Sequence, residues 1–151
     1  IIVKDNKYLI SAGYNGPVVG AKHCSDMTYR ASLMKLICKH EGDKIEIFAK
    51  DEKVCPRRPA GFASGEGIEY CQAAHGERNA ICMAARFGHS TEGCTMYMNC
   101  GIPCLECAKS IVNAGIKEIV VTDKDLIYEK KGLTGLDILM VGGVKVREYE
   151  K

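Results

Sequence analysis

No stretch of the 151-residue chain approaches the roughly 18–20 consecutive apolar residues of a membrane-spanning helix, so no membrane partner is expected. No sign of charge dominates either. Lys and Arg number 21 and Asp and Glu 19, leaving +2, which gives little reason to expect nucleic acid as a partner. Internal repeats and low-complexity tracts are absent, which excludes solenoids and disordered tails. Ser64-Gly65-Glu66-Gly67 is rich in glycine but lacks the Lys-Ser/Thr of a phosphate loop, and reads as a turn. No secretory signal pattern opens the chain. The first residue is Ile1, and Ile1–Val3 already reads as strand, so the sequence is expected to begin inside an element.

What is present is an ordinary globular mixture, 46% hydrophobic and 26% charged, of a length expected for one domain, 1–151. Nine cysteines stand out. The odd count, the missing signal and a core large enough without bridges argue against a disulfide scaffold. A reduced, cytoplasmic protein with metal-bound and buried thiols is expected. Cys38 and Cys82 sit in helix-like segments and read as small buried hydrophobes, as do Cys94 and Cys100 beside an apolar strand.

Ile1–Val3 and Tyr8–Ala12, split by Lys4-Asp5-Asn6-Lys7, read as a hairpin, and Gly13–Pro17 as a loop. A helix is expected from Ser25 or Asp26 to about His40, and Lys44–Ala49 as a short strand or part of an insertion spanning 21–70. Lys50–Lys53 reads as a solvated charge cluster and Pro56–Gly67 as a loop. The second half alternates: helix Glu77–Phe87, strand Thr95–Met98, helix Leu105–Ala114, strand Glu118–Thr122, a short helix whose end is Leu136–Val141, and strand Val144–Tyr149, with Gly88, Gly115 and Gly142-Gly143 as stops. This predicts an α/β protein with a mostly parallel sheet and an antiparallel hairpin.

Two motifs open successive helices: His75-Gly76-Glu77 and Pro103-Cys104-Leu105-Glu106-Cys107. Together they match the H-x-E…P-C-x-x-C signature of zinc-dependent nucleobase deaminases. Cys104 and Cys107, three apart, share one helical face in a first turn that favours thiolates. His75 supplies a third ligand. Three protein ligands leave the fourth tetrahedral position to water, as in catalytic zinc sites, where that water's pKa falls to about 7. Glu77, two residues from His75, is placed for general acid–base work. A lone C-x-x-C is often structural zinc or a redox pair, and a lone H-x-E is common by chance. The pair, one βα unit apart, is far more specific.

These residues resemble the cytidine and deoxycytidylate deaminase superfamily, and its dCMP deaminase branch most closely. The resemblance rests on Gly13-Tyr14-Asn15-Gly16, His75–Ile81, Pro103–Lys109, Ala114–Glu118 and Gly142–Val146, and the first of these points to the dCMP branch. It implies a three-layer α/β/α fold with a central five-stranded mixed sheet, and conversion of dCMP to dUMP with release of ammonia in thymidylate supply. It implies that Asn15 contacts the sugar and that backbone near Gly76 and Pro103 meets the base. It also implies a homo-oligomer with dCTP and dTTP as effectors. Two departures are Gly76, where the family usually has Ala, and the stretch Asn99–Ile102, one residue longer than typical. The N-terminal helix that the resemblance implies is expected to be missing from this sequence.

Cys24, Cys55 and Cys71 with His23 form a candidate second, structural zinc site, to be weighed against unrelated thiols. Arg57 and Arg58 read as a solvated basic pair rather than a phosphate site. Tyr14 and Tyr128 are candidates for base or sugar packing, with ordinary packing favoured for each. Other readings keep the chemistry and change the substrate to cytidine, deoxycytidine, guanine or adenosine in tRNA. A zinc-bound, non-catalytic regulatory or binding module is the alternative outside enzymes, and Glu77, which has no ligand role, argues against it.

Overall fold

The computed structural model describes residues 1–24, 26, 32, 33, 57, 61–63, 66–127, 129 and 131–149. The chain falls into two compact units, Ile1–Asn15 with His75–Lys151, and Gly16–Ala74.

The first unit starts with the expected hairpin, β1 (Ile2–Lys4) and β2 (Tyr8–Ser11). Asp5 and Asn6 turn the chain with φ of 53° and 51°, and the Lys7 N–H donates to the Lys4 carbonyl at 3.0 Å. Short polar side chains tolerate this left-handed region because they can bond their own backbone. In the second unit β3 (Gly16–Pro17) pairs antiparallel with β4 (Ala73–Ala74). The first unit resumes with helix α1 (Gly76–Arg86), β5 (Thr95–Tyr97), helix α2 (Leu105–Asn113), β6 (Glu118–Val121), helix α3 (Gly135–Val141) and β7 (Lys145–Glu148).

Strand order is β2-β1-β5-β6-β7. β1 runs antiparallel to β2 and β5, while β5, β6 and β7 are mutually parallel. Parallel neighbours need crossovers, and α2 and α3 supply them. Right-handed crossovers that all step the same way across a sheet put their helices on one face. Accordingly α1 packs on α2, and α2 on α3. Ile2, Met96, Ile119 and Val121 of the sheet meet Ala80, Ala108, Ile111 and Leu139 of the helices in one buried cluster. Each large aliphatic side chain so buried contributes about 1.5–3 kcal/mol. Val120 points the other way on β6 and is buried too, so both faces of this interior strand are covered there. The α/β fold with a five-stranded mixed sheet is as expected.

Left-handed glycines end these three helices: Gly88 after α1 (φ 71°), Gly115 after α2 (φ 70°) and Gly143 after α3 (φ 69°). α3 ends in Leu136–Val141 as expected and begins at Gly135, where Thr134 caps it. The Thr134 hydroxyl accepts from the Asp137 N–H, and the Asp137 carboxylate accepts from the Thr134 N–H at 2.8 Å. Cys82 is exposed, against expectation. The buried face of α1 is set by Ala80 and Ala84, four apart, and a residue midway between them points away.

In the second unit, the Gly13–Pro17 stretch read as loop ends in the two residues of β3. A 3₁₀ turn at Ile68–Tyr70 follows the expected loop, and the Tyr70 ring lies 5.6 Å from that of Phe62. Arg57 donates to the Glu66 carbonyl, so it fastens this loop instead of standing solvated. The expected helix from 25 to 40 (apart from Asp26, Ser32 and Leu33), the Lys44–Ala49 strand, the Lys50–Lys53 cluster and Cys38, Cys55, Arg58 and Tyr128 lie outside the described residues.

Candidate metal centre

His75 is the N-cap of α1 and Cys104 the N-cap of α2, both extended (φ/ψ −67°/151° and −61°/161°). Cys107 sits one turn into α2, fully buried. The mouths of the two helices therefore bring three donors together. His75 Nδ1 lies 3.4 Å from Cys104 Sγ and 3.4 Å from Cys107 Sγ. All three ligand atoms fall within 4.8 Å of one another, and among the described residues no other group of three His, Cys, Asp or Glu does so.

The donor set fits zinc. Tetrahedral bonds of about 2.3 Å to sulfur and 2.0–2.1 Å to nitrogen place sulfur and nitrogen about 3.5 Å apart. Thiolates with an imidazole suit this ion, and a set of three leaves one position open. The electrostatics also call for a cation. Cys104 is pulled down to about 5 by hydrogen bonds from the Cys107 thiol and backbone N–H and by His75, against the opposing effect of burial. Cys107 is pushed up, first as donor to the Cys104 sulfur, then by burial and by the charge of Glu77. One negative charge is thus easily held, and the second waits for a positive partner. Burial and the charge of Glu77 also raise the Cys100 thiol. The Glu77 carboxylate therefore bears on both Cys107 and Cys100.

The Gly13–Gly16 loop is pinned to the start of α1. Asn15 Oδ1 accepts from the Gly76 N–H at 2.7 Å, and Asn79 Nδ2 donates to the Tyr14 carbonyl at 2.8 Å. A Cβ on Gly13 would collide with the Gly76 carbonyl and the Ala80 N–H, and one on Gly76 would meet Gly13 O and Tyr14 Cα at 3.3 Å. Glycine at 76 lets the Gly13–Tyr14 backbone lie this close. The Asn99–Ile102 stretch is held by the chain that follows β6. The Ile102 N–H donates to the Leu126 carbonyl at 3.0 Å, and Gly101 lies flat against Leu126. Pro103 is buried, its carbonyl against Gly135 at the start of α3.

Of the residues singled out in the sequence, His75, Cys104 and Cys107 converge, Glu77 borders them, and Asn15 and Gly76 touch one another. His23, Cys24 and Cys71, in the second unit, do not meet as a metal-sized group, and Cys55 lies outside the described residues. Two residues escaped the sequence reading. Asn79 was unremarked inside His75–Ile81, although an Asn at the first turn of a helix is a signal for a bond to a neighbouring loop. Glu129 accepts from the Leu105 N–H at 2.6 Å across 24 residues, and no local pattern announces it.

The family model described as the cytidine and deoxycytidylate deaminase zinc-binding region matches residues 1–123. The deoxycytidylate deaminase of Enterobacteria phage T4 is 33% identical over 155 aligned residues, covering 99% of this chain and 78% of the relative. ComE operon protein 2 of Bacillus subtilis is 33% identical over 140, covering 88% of this chain and 55% of that one. Among solved structures, the dCMP deaminase of cyanophage S-TIM5 in complex with dCMP and dUMP matches in fold, with a TM-score of 0.58 at 21% identity, over 99% of this chain and 78% of that one. The chain belongs to the cytidine and deoxycytidylate deaminase zinc-binding family.

Proposed function

We propose that the protein hydrolyses dCMP to dUMP and ammonia, with His75, Cys104 and Cys107 as zinc ligands and Glu77 as general acid–base. The observation that carries this reading is the convergence of one imidazole and two thiols at two helix mouths, with a carboxylate that is not part of the donor set beside them. Zinc bound there would supply a water of lowered pKa. Glu77 is the group placed to accept the water's protons and to return one to the ring nitrogen and the other to the departing amine, so one carboxylate serves as base and then acid. The family likeness places the base near the backbone around Gly76 and Pro103, and the Asn15 amide offers its N–H donors to the sugar while its oxygen stays on Gly76.

For the substrate, the T4 and T2 phage relatives bear the name deoxycytidylate deaminase, and the cyanophage protein of the same fold binds dCMP and dUMP. We further infer a cytoplasmic enzyme. Cys71, Cys82, Cys94, Cys100, Cys104 and Cys107 are free thiols, which suits a reducing compartment, and no helix among the described residues is long and apolar enough to cross a membrane. Assembly as a homo-oligomer and control by dCTP and dTTP follow from the family likeness alone.

The test is ammonia release from dCMP, cytidine and deoxycytidine in parallel, using zinc-loaded protein and its Glu77→Gln variant. Turnover of dCMP alone is expected, with a fall of about 10²–10⁴-fold in the variant at unchanged zinc content. Turnover of the nucleosides instead would move the assignment to a cytidine deaminase. An unimpaired Glu77→Gln protein would overturn the mechanism.

A further inference from the structure

A helix leaves its first N–H groups without intrahelical partners, and the side chain of the N-cap residue normally accepts from one of them. α3 does this for itself with Thr134 and Asp137. α1 and α2 do not: neither His75 nor Cys104 makes a side-chain cap bond. In both helices the N-cap residue is a member of the donor triangle. Its side chain is committed to the metal centre and cannot fold back on its own backbone.

Both helices have a substitute from elsewhere in the chain. The first N–H of α1, on Gly76, donates to Asn15 Oδ1, and the first N–H of α2, on Leu105, donates to Glu129 Oε1. We infer that Glu129 is a positioning residue of the metal centre, which holds the mouth of α2, and with it Cys104 and Cys107, through the Leu105 N–H. The inference rests on the zinc reading above.

Three further observations support it. Glu129 is drawn inward: its Oε2 is buried, with no hydrogen-bond partner among the described residues. Burying a carboxylate oxygen is costly, a cost that a local surface cap would not incur. The segment that delivers Glu129 is pre-shaped. Asp123 Oδ1 accepts from the N–H groups of Asp125 and Leu126, at 3.0 and 3.1 Å. The same segment also grips the other end of the ligand loop, through Ile102 on the Leu126 carbonyl and Gly101 against the Leu126 side chain. Cys104 thus has a fixed point on either side, and both come from the chain after β6.

Groups that orient metal ligands from outside the donor set typically change metal affinity by about 10–100-fold when removed. The test uses the whole chain loaded with cobalt(II), whose sulfur-to-metal charge-transfer and d–d bands report ligand geometry, and zinc affinity by chelator competition. Glu129→Ala is expected to shift the cobalt bands and weaken zinc about 10–100-fold. Glu129→Gln, which keeps an oxygen for the Leu105 N–H, is expected to restore the bands and most of the affinity. If the alanine variant does not fold, Glu129→Asp carries the same test, since it draws the carboxylate back by one methylene. Wild-type bands and affinity in the alanine variant, or in the aspartate variant when that one is used, would overturn the inference. So would a glutamine variant no better than alanine. A wild-type protein showing no thiolate-to-cobalt band would instead remove the metal centre itself.

Discussion

Replacing Gly135 by alanine tests whether α3 sets the geometry of the metal-binding loop. Gly135 opens α3, and a Cβ there would strike the Pro103 carbonyl oxygen, with Pro103 C at 3.0 Å and Cys104 C at 3.3 Å. The obstacle is backbone, not the end of a flexible side chain. The Pro103–Cys104 peptide and the start of α3 must therefore part by roughly 1 Å, and overpacking of this kind costs about 1–3 kcal/mol. Alanine's better helix propensity returns at most about 1 kcal/mol. A stability loss of about 1–2 kcal/mol by urea denaturation is expected. Turnover should fall further than stability explains, since a displacement near 1 Å in a catalytic constellation can cost about 10²-fold. Gly143→Ala is the control. Gly143 has φ 69° and open space around its would-be Cβ, so alanine there is strained by about 1–2 kcal/mol without touching the ligand loop. Matched stability losses with a turnover defect only in Gly135→Ala are expected. Equal turnover in the two variants would refute the reasoning.

Asp137 is held below the usual carboxylate range by hydrogen bonds from the Thr134 backbone and hydroxyl. A depressed folded pKa contributes stability above the unfolded value, near 4, that is lost as pH falls through the folded value. Thermal denaturation between pH 6 and pH 3 should show a smaller acid-induced drop in Asp137→Asn than in wild type, and an equal drop would count against the capping role. Zinc must displace the proton of Cys107, which is raised, so zinc affinity should rise with pH between 6 and 8 in chelator competition, and a flat profile would contradict the two-thiolate donor set. Metal analysis is expected to return one zinc per chain, lost on Cys107→Ser. Two equivalents falling to one on Cys24→Ser would restore the His23, Cys24, Cys55 and Cys71 site.

What could be read in advance was what is encoded locally. Asp5-Asn6 specified the hairpin, Gly88 and Gly115 the helix ends, and the spacing of His75, Cys104 and Cys107 the donor set, because each depends on neighbours in sequence. The errors fell where the deciding contact is distant. Cys82 was read as buried because its segment is helical, but the inward face depends on which side meets the sheet. β3 and β4 are two residues each and pair across the second unit, too short for any alternation to show. Glu129 looked like one of several charges in a loop, and only the fold brings it to Leu105. Asn15 was noticed through a family motif, which carried a sugar-binding role but not the bond to Gly76.

That bond also bears on how the chain tolerates change. Asn15 and Gly76 are joined at 2.7 Å, yet all of Gly16–Ala74 lies between them in sequence, with β3 and β4 zipped together where that segment leaves and returns. The entropy of closing a loop grows only with the logarithm of its length. The Asn15–Gly76 bond therefore depends little on how many residues Gly16–Ala74 spans, since doubling that length would add only about 0.6 kcal/mol of closure entropy.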